Sequence, residues 1–213
     1  MTLREVTVAA GRRFARLATN AVLRMPTTWP FLRPLMRAQF DRLAPRWDSM
    51  RGPESLAAYE AALAAVDPAP GRALDLGTGT GEGALAIARR FGAAEVVGVD
   101  LSEPMLEIAR RKAPPELGTR VRFETADASA LPYGDASFDL VAHANMIPFF
   151  GEVERVLAPG GWALFAFSSG PQTPIYVPPK RLRDELERRG FADFADFTGG
   201  SGAALLARKR TGT

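Results

Sequence analysis

Three carboxylates and a run of glycines are the residues in this sequence best placed to do chemistry. Asp75 stands two residues before Gly77 in Asp-Leu-Gly-Thr-Gly-Thr-Gly, Asp100 follows "VVGV", and Asp127 follows "FETA". Glycines at positions 77, 79, 81 and 83 describe a loop whose backbone can come close to a ligand, because no Cβ stands in the way. A nucleoside triphosphate would need a lysine followed by Ser or Thr after such a loop, and no lysine is there. A dinucleotide fits formally, with Gly79-x-Gly81-x-x-Ala84 and with Asp100 about 20 residues further on. In that register, however, Glu82 opens the helix where a pyrophosphate prefers an uncompensated positive terminus. One acid serves a dinucleotide ribose, whereas acids at three successive strand ends suit a cationic, hydroxyl-rich, phosphate-free nucleoside.

His143 is the only imidazole in the chain and falls near the end of an apolar stretch. It is the candidate general base or acceptor-orienting group. Asn145, Met146 and Phe149 in "ANMIPFF" share that neighbourhood. With Trp29, Phe31, Trp47 and Tyr59 from the N-terminal part and Ser168 after a later strand, they can form an apolar acceptor pocket with a few polar atoms. The sequence has no cysteine, so disulfides, thiolate zinc sites and a cysteine nucleophile are excluded. With one histidine and no thiol, no metal is expected.

The elements that must position these residues begin near residue 72. Short apolar runs predict strands at 73–76, 95–99, 120–125, 138–143, 161–167, 191–197 and 202–208. Helical patterns predict helices at 82–91, 103–112, 149–157 and 179–189. This alternation predicts a doubly wound α/β sheet. The last two strands are joined only by "TGGS", too short for a crossover, so they should pair antiparallel.

Before residue 72 the pattern is helical. Residues 1–25 read as one amphipathic helix. Pro26, Pro30 and Pro34 should then preclude regular helix until about Pro34, leaving a second helix at 34–43. "GPESLAAYEAALAAV" is a third, with Pro53 near its start.

Charge is unevenly spread. Residues 1–52 hold ten arginines against Glu5, Asp41 and Asp48, a net +7 in a chain whose total is +3. A nucleic-acid binder would more naturally place such charge around its recognition surface, so no nucleic acid is expected as partner. No apolar run reaches the ~20 residues of a membrane span, and arginines interrupt residues 1–25 where a secretory signal would be apolar. The expected location is cytoplasmic.

"ALDLGTGTG", "VVGVDLSEPML", "FETADASALPYGDASFDLV" and "EVERVLAPGGWALFAF" occur in that order. In order and spacing they resemble the class I S-adenosylmethionine-dependent methyltransferases over roughly residues 70–210. The resemblance implies a Rossmann-like seven-stranded sheet of order 3-2-1-4-5-7-6 with strand 7 antiparallel, and S-adenosylmethionine as cofactor. It implies that Gly77, Thr78, Gly79 and Gly81 cradle the aminoacyl tail and that Asp75 orients loop and amino group. Asp100 would accept from the ribose hydroxyls, Leu101 and Met105 would pack on the adenine, Asp127 would accept from its amino group, and the Ala128 amide would donate to the ring. The implied reaction is in-line methyl transfer to a small, apolar acceptor at O, C or N. An NAD-dependent oxidoreductase and a non-catalytic S-adenosylmethionine-binding protein are the alternatives.

"FDRLAPRWDSM", residues 40–50, resembles the segment that closes over the cofactor in quinone-biosynthesis methyltransferases, which makes Asp41, Arg46 and Trp47 lid residues. The sequence departs from the quinone enzymes after the fourth strand. The expected organisation is a helical lid, 1–52, before a methyltransferase domain, 53–213. Residues 1–37 either pack on the core or make peripheral contact with a membrane. The chain should act as a monomer or homodimer.

Overall fold

The structure is a computed structural model that describes residues 3–52 and 54–212. Its frame is one seven-stranded sheet. The strands are β1 (Arg72–Leu76), β2 (Glu95–Asp100), β3 (Val121–Thr125), β4 (Phe138–Ala144), β5 (Leu157–Phe167), β6 (Phe191–Gly199) and β7 (Gly202–Lys209). Their order is β3-β2-β1-β4-β5-β7-β6, as expected. The first five pair in parallel, and β7 runs antiparallel to both β5 and β6. Gly200 and Ser201 alone join β6 to β7, with Gly200 at φ +55°.

Both faces of the sheet are covered, which is why the inner strands read as continuous apolar runs. The helices are α1 (Leu3–Arg24), α2 (Trp29–Leu43), α3 (Ala57–Ala64), α4 (Glu82–Arg90), α5 (Glu103–Lys112), α6 (Phe150–Val156) and α7 (Pro179–Glu187). Ala73, Val96 and Leu140 pack under α3, α4 and α5, while their neighbours Leu74, Val97 and Val141 pack under α6 and α7. This is the period-2 alternation of a pleated strand. A third apolar cluster joins Ala15, Ala18 and Val22 of α1 and Trp29 and Met36 of α2 to Ile147 and Ile175, beyond β4 and β5. The N-terminal helices therefore lie over the loops at the carboxyl edge of the sheet.

Several boundaries differ from the sequence reading, and α3 spans only Ala57–Ala64 of the stretch read as the third helix. α2 starts at Trp29, not at Pro34. Pro30 sits in the first turn, where its missing N–H costs nothing. Pro34 forgoes one ladder bond, and the buried Trp29 and Met36 on either side keep the helix going. β5 starts at Leu157 rather than 161, because "APGG" forms an irregularity between the pairs Phe138↔Leu157 and Leu140↔Trp162. A Cβ on Gly161 would stand 2.8 Å from the Asp139 carbonyl oxygen, so that close crossing needs glycine. Pro53, expected near the start of the third helix, lies outside the described residues.

Candidate functional site

The glycine loop leaves β1 and turns back under β2. Gly77, Gly79 and Gly81 have φ of +62°, +55° and +87°, which favours residues without a Cβ. The Thr78 N–H donates to the Val99 carbonyl at 2.9 Å, pinning the loop to β2. A Cβ on Gly77 would lie 2.9 Å from the Met146 side chain, and one on Gly79 3.4 Å from the Trp47 indole nitrogen, so both glycines face a cleft already lined by large groups. Gly81 instead meets Ala109 and Phe123, which places it in packing.

Asp75 is buried beneath this loop, where it accepts from the Tyr59 hydroxyl at 3.1 Å. Burial pushes its carboxyl up to about 6, although the Tyr59 hydroxyl and the Ala84 N–H favour the charged form. Gly83 leaves room for it, since a Cβ there would stand 2.6 Å from Asp75 Oδ2.

Asp100 ends β2 and lines the cleft. Its Oδ2 accepts from the Gly79 N–H and its Oδ1 from the Ser102 N–H, each at 2.9 Å. Burial raises its carboxyl, and those backbone N–H groups oppose the shift. Ser102 caps α5 by accepting from the Met105 N–H at 3.4 Å.

Asp127 behaves differently from the expectation. Its Oδ1 accepts from the Trp29 indole and from the Ser129 N–H, each at 2.9 Å, and its Oδ2 pairs with Arg33 at 2.7 Å. Burial works against the charge, but Arg33, the Ser129 N–H and Trp29 together hold the carboxyl below its usual range. The third-strand acid is thus the anchor of α2 and does not line the cleft, so its assignment to the adenine amino group does not fit this geometry.

The cleft is a cavity of about 90 Å³. Gly77, Gly79, Asp100, Leu101, Met105 and Ala128 form its sheet side, and Trp29, Met36, Phe40 and Trp47 its N-terminal side. Asp75, Thr78 and Gly81 support it from behind. Met146 and Phe149, expected in the acceptor pocket, line this inner cleft, with Phe149 edge-on to Trp29 at 5.1 Å.

A second cavity of about 970 Å³ lies between the N-terminal helices and the loops after β4 and β5. It meets the first at Phe40, Trp47, Asn145 and Ile175, which line both. Asn145, at φ +57°, accepts through Oδ1 from the Ser168 N–H at 2.8 Å and the Ser168 hydroxyl at 3.1 Å. With its oxygen so engaged, the amide N–H₂ remains to donate to a ligand.

Three expected site residues lie elsewhere, the first being Phe31, 80% exposed on α2 and in neither cavity wall. Tyr59 is 1% exposed in the core under Asp75. His143 lies within β4, 1% exposed, edge-on to Phe165 at 4.7 Å, and lines neither cavity. Both ring nitrogens lack a partner, and burial lowers its pKa to about 3, so the imidazole stays neutral. A general-base role for His143 does not fit that place. Because β4 runs on to Ala144, the side chain of His143 points into a covered sheet face rather than the mouth.

Trp29 lines the inner cleft, but sequence reasoning missed Arg33, Met36 and Phe40. Met36 and Phe40 stand one helical turn apart, a signal obscured by the expectation that Pro30 and Pro34 break the helix. Asp48 accepts from the Thr80 hydroxyl at 2.6 Å and from Lys112 at 3.1 Å, and Lys112 also pairs with Glu82. These bonds tie residues 40–50 to the loop and to α5. Asp41 pairs across one turn with Arg37 at 3.8 Å, and Arg46 is exposed. Among the described residues no group of three or more His, Asp or Glu side chains is placed to hold a metal ion.

Residues 73–161 match the methyltransferase domain family. A demethylmenaquinone methyltransferase of Thermus thermophilus is 46% identical over 173 residues, 76% of this chain and 75% of that protein. One from Deinococcus radiodurans is 38% identical over 159 residues, 69% of this chain and 66% of that protein. Among solved structures, an S-adenosylmethionine-dependent methyltransferase of Aquifex aeolicus superposes with a TM-score of 0.64 at 20% identity, covering 78% of this chain and 97% of that one.

Proposed function

The chain belongs to the class I S-adenosylmethionine-dependent methyltransferases, and from that premise we propose that it methylates a small, largely apolar ring of the hydroquinone kind where its two cavities meet. Asp100, Leu101, Met105 and Ala128 would hold the cofactor's nucleoside, and Gly77 and Gly79 its aminoacyl part, with Asp75 holding the loop in shape. The bare Gly77 and Gly79 backbone and the Asp100 carboxylate on the cleft fit that group. When bound, S-adenosylmethionine supplies a methyl group made electrophilic by its sulfonium. Residues 1–52 would act as the lid, latched by Trp29 and Arg33 on Asp127.

The observation that carries the reading is the junction itself. Phe40, Trp47, Asn145 and Ile175 line both cavities, and none of them titrates near neutrality. Catalysis there rests on positioning and on excluding water, not on a side-chain base. Asn145, held by Ser168, donates an N–H to an acceptor oxygen and so both orients the ring and stabilises its anion. The relatives named as demethylmenaquinone methyltransferases favour a quinone-type ring, and the apolar walls suit one. Neither the cleft nor the relatives support a dinucleotide.

Calorimetry with S-adenosylhomocysteine tests the cofactor half: Asp100→Ala loses roughly 3 kcal/mol, about a hundredfold in Kd. Asn145→Ala should leave that Kd within about threefold while kcat/KM for a hydroquinone acceptor falls at least about tenfold. Unchanged kcat/KM in Asn145→Ala would remove the junction from the mechanism.

A further inference from the structure

The N-terminal helices present a surface that extends well beyond the walls of the two cavities. The five large apolar side chains exposed among the described residues are Leu17, Met25, Phe31, Leu35 and Met50, all in or beside α1 and α2, with Phe31 80% exposed. The same stretch carries nine arginines from Arg12 to Arg51, of which only Arg33 and Arg37 pair with an acid among the described residues. Arg12 and Arg16 donate to the backbone carbonyls of Gln172 and Thr173, which bring no countercharge. The large cavity opens into this surface. Leu35 and Met50 line it while about half exposed, and Arg12 and Arg42 line it beside them. Phe31 stands one turn before Leu35, on the same face of α2.

We propose that this face docks on an anionic lipid bilayer, which covers the mouth of the cavity, so that the acceptor enters from the membrane. The proposal rests on reading the cavity as the acceptor site. Charge selects the occupant. Apolar side chains among uncompensated arginines match a hydrocarbon layer under anionic headgroups. A second copy of the chain would instead set this net +7 segment against itself.

The test is co-sedimentation of the full chain with phosphatidylcholine vesicles, with and without phosphatidylglycerol. Binding is expected only with phosphatidylglycerol, weakening at least about tenfold as salt is raised. Leu17→Ser with Phe31→Ser, and separately Arg13→Glu with Arg24→Glu, should each weaken it by about tenfold or more. None of these four side chains lines either cavity, so both double variants should keep the wild-type affinity for S-adenosylhomocysteine. Absence of binding, equal binding to neutral vesicles, or light scattering that shows a dimer dissolved by Phe31→Ser would each overturn the proposal. The acceptor reading fails separately, through unchanged turnover in Asn145→Ala.

Discussion

At the scale of residues, the same side-chain type does opposite work depending on what surrounds it. Asp100 faces the cleft, Asp75 is sealed beneath the loop, and Asp127 anchors a helix. The sealed groups leave a mark on stability. His143 is held neutral with a pKa of about 3 against an ordinary 6.5, so its contribution to stability is complete above 6.5 and is lost as pH falls toward 3. Asp75 has the reverse sign. Burial raises its carboxyl to about 6 from 3.8, so the cost of its charge is full above about 6 and is relieved as pH falls toward 3.8. Between about pH 6 and 4 the two nearly cancel. His143→Phe should leave Asp75 unopposed and raise stability at about pH 4, relative to wild type, by about 3 kcal/mol. Urea denaturation midpoints measured across that range check this, and parallel profiles for the two proteins would contradict a neutral buried imidazole.

At the scale of elements, what could be read in advance was what repeats locally. The short apolar runs placed all seven strands, and the four residues between the last two gave their antiparallel pairing. What failed depended on partners distant in the chain. Trp29 and Arg33 reach Asp127 across 98 and 94 residues, and Asp48 reaches Thr80 across 32. No periodicity encodes such pairs. α2 is the clearest case, since its prolines argued for a break and its buried side chains prevailed. Pro34 still lacks a bond to the Pro30 carbonyl. Pro34→Ala should therefore stabilise the protein by about 1–2 kcal/mol, the restored helix bond outweighing the added freedom of the unfolded chain. A thermal midpoint that falls instead would show that the ring packs in a way the ladder argument ignores.

At the scale of the whole molecule, the inner cleft, where we propose the cofactor binds, is a joint product of two segments. The sheet supplies the glycines and Asp100, while the first 52 residues supply Trp29, Met36, Phe40 and Trp47. The motifs of the sheet side identified the cofactor class, because its backbone geometry needs particular residue types. The helical side needs only bulk and apolarity, which many sequences provide, so its wall was legible just at its tryptophans, Trp29 and Trp47. This division has a practical outcome. Two of the three tryptophans, Trp29 and Trp47, line the cleft, whereas Trp162 lies on β5 with its indole donating to the Asp67 carbonyl. The protein thus carries its own optical gauge. Titration with S-adenosylhomocysteine should change its intrinsic emission, Trp29→Phe with Trp47→Phe should abolish the response, and Trp162→Phe should leave it intact. A signal that followed Trp162 would place the ligand elsewhere.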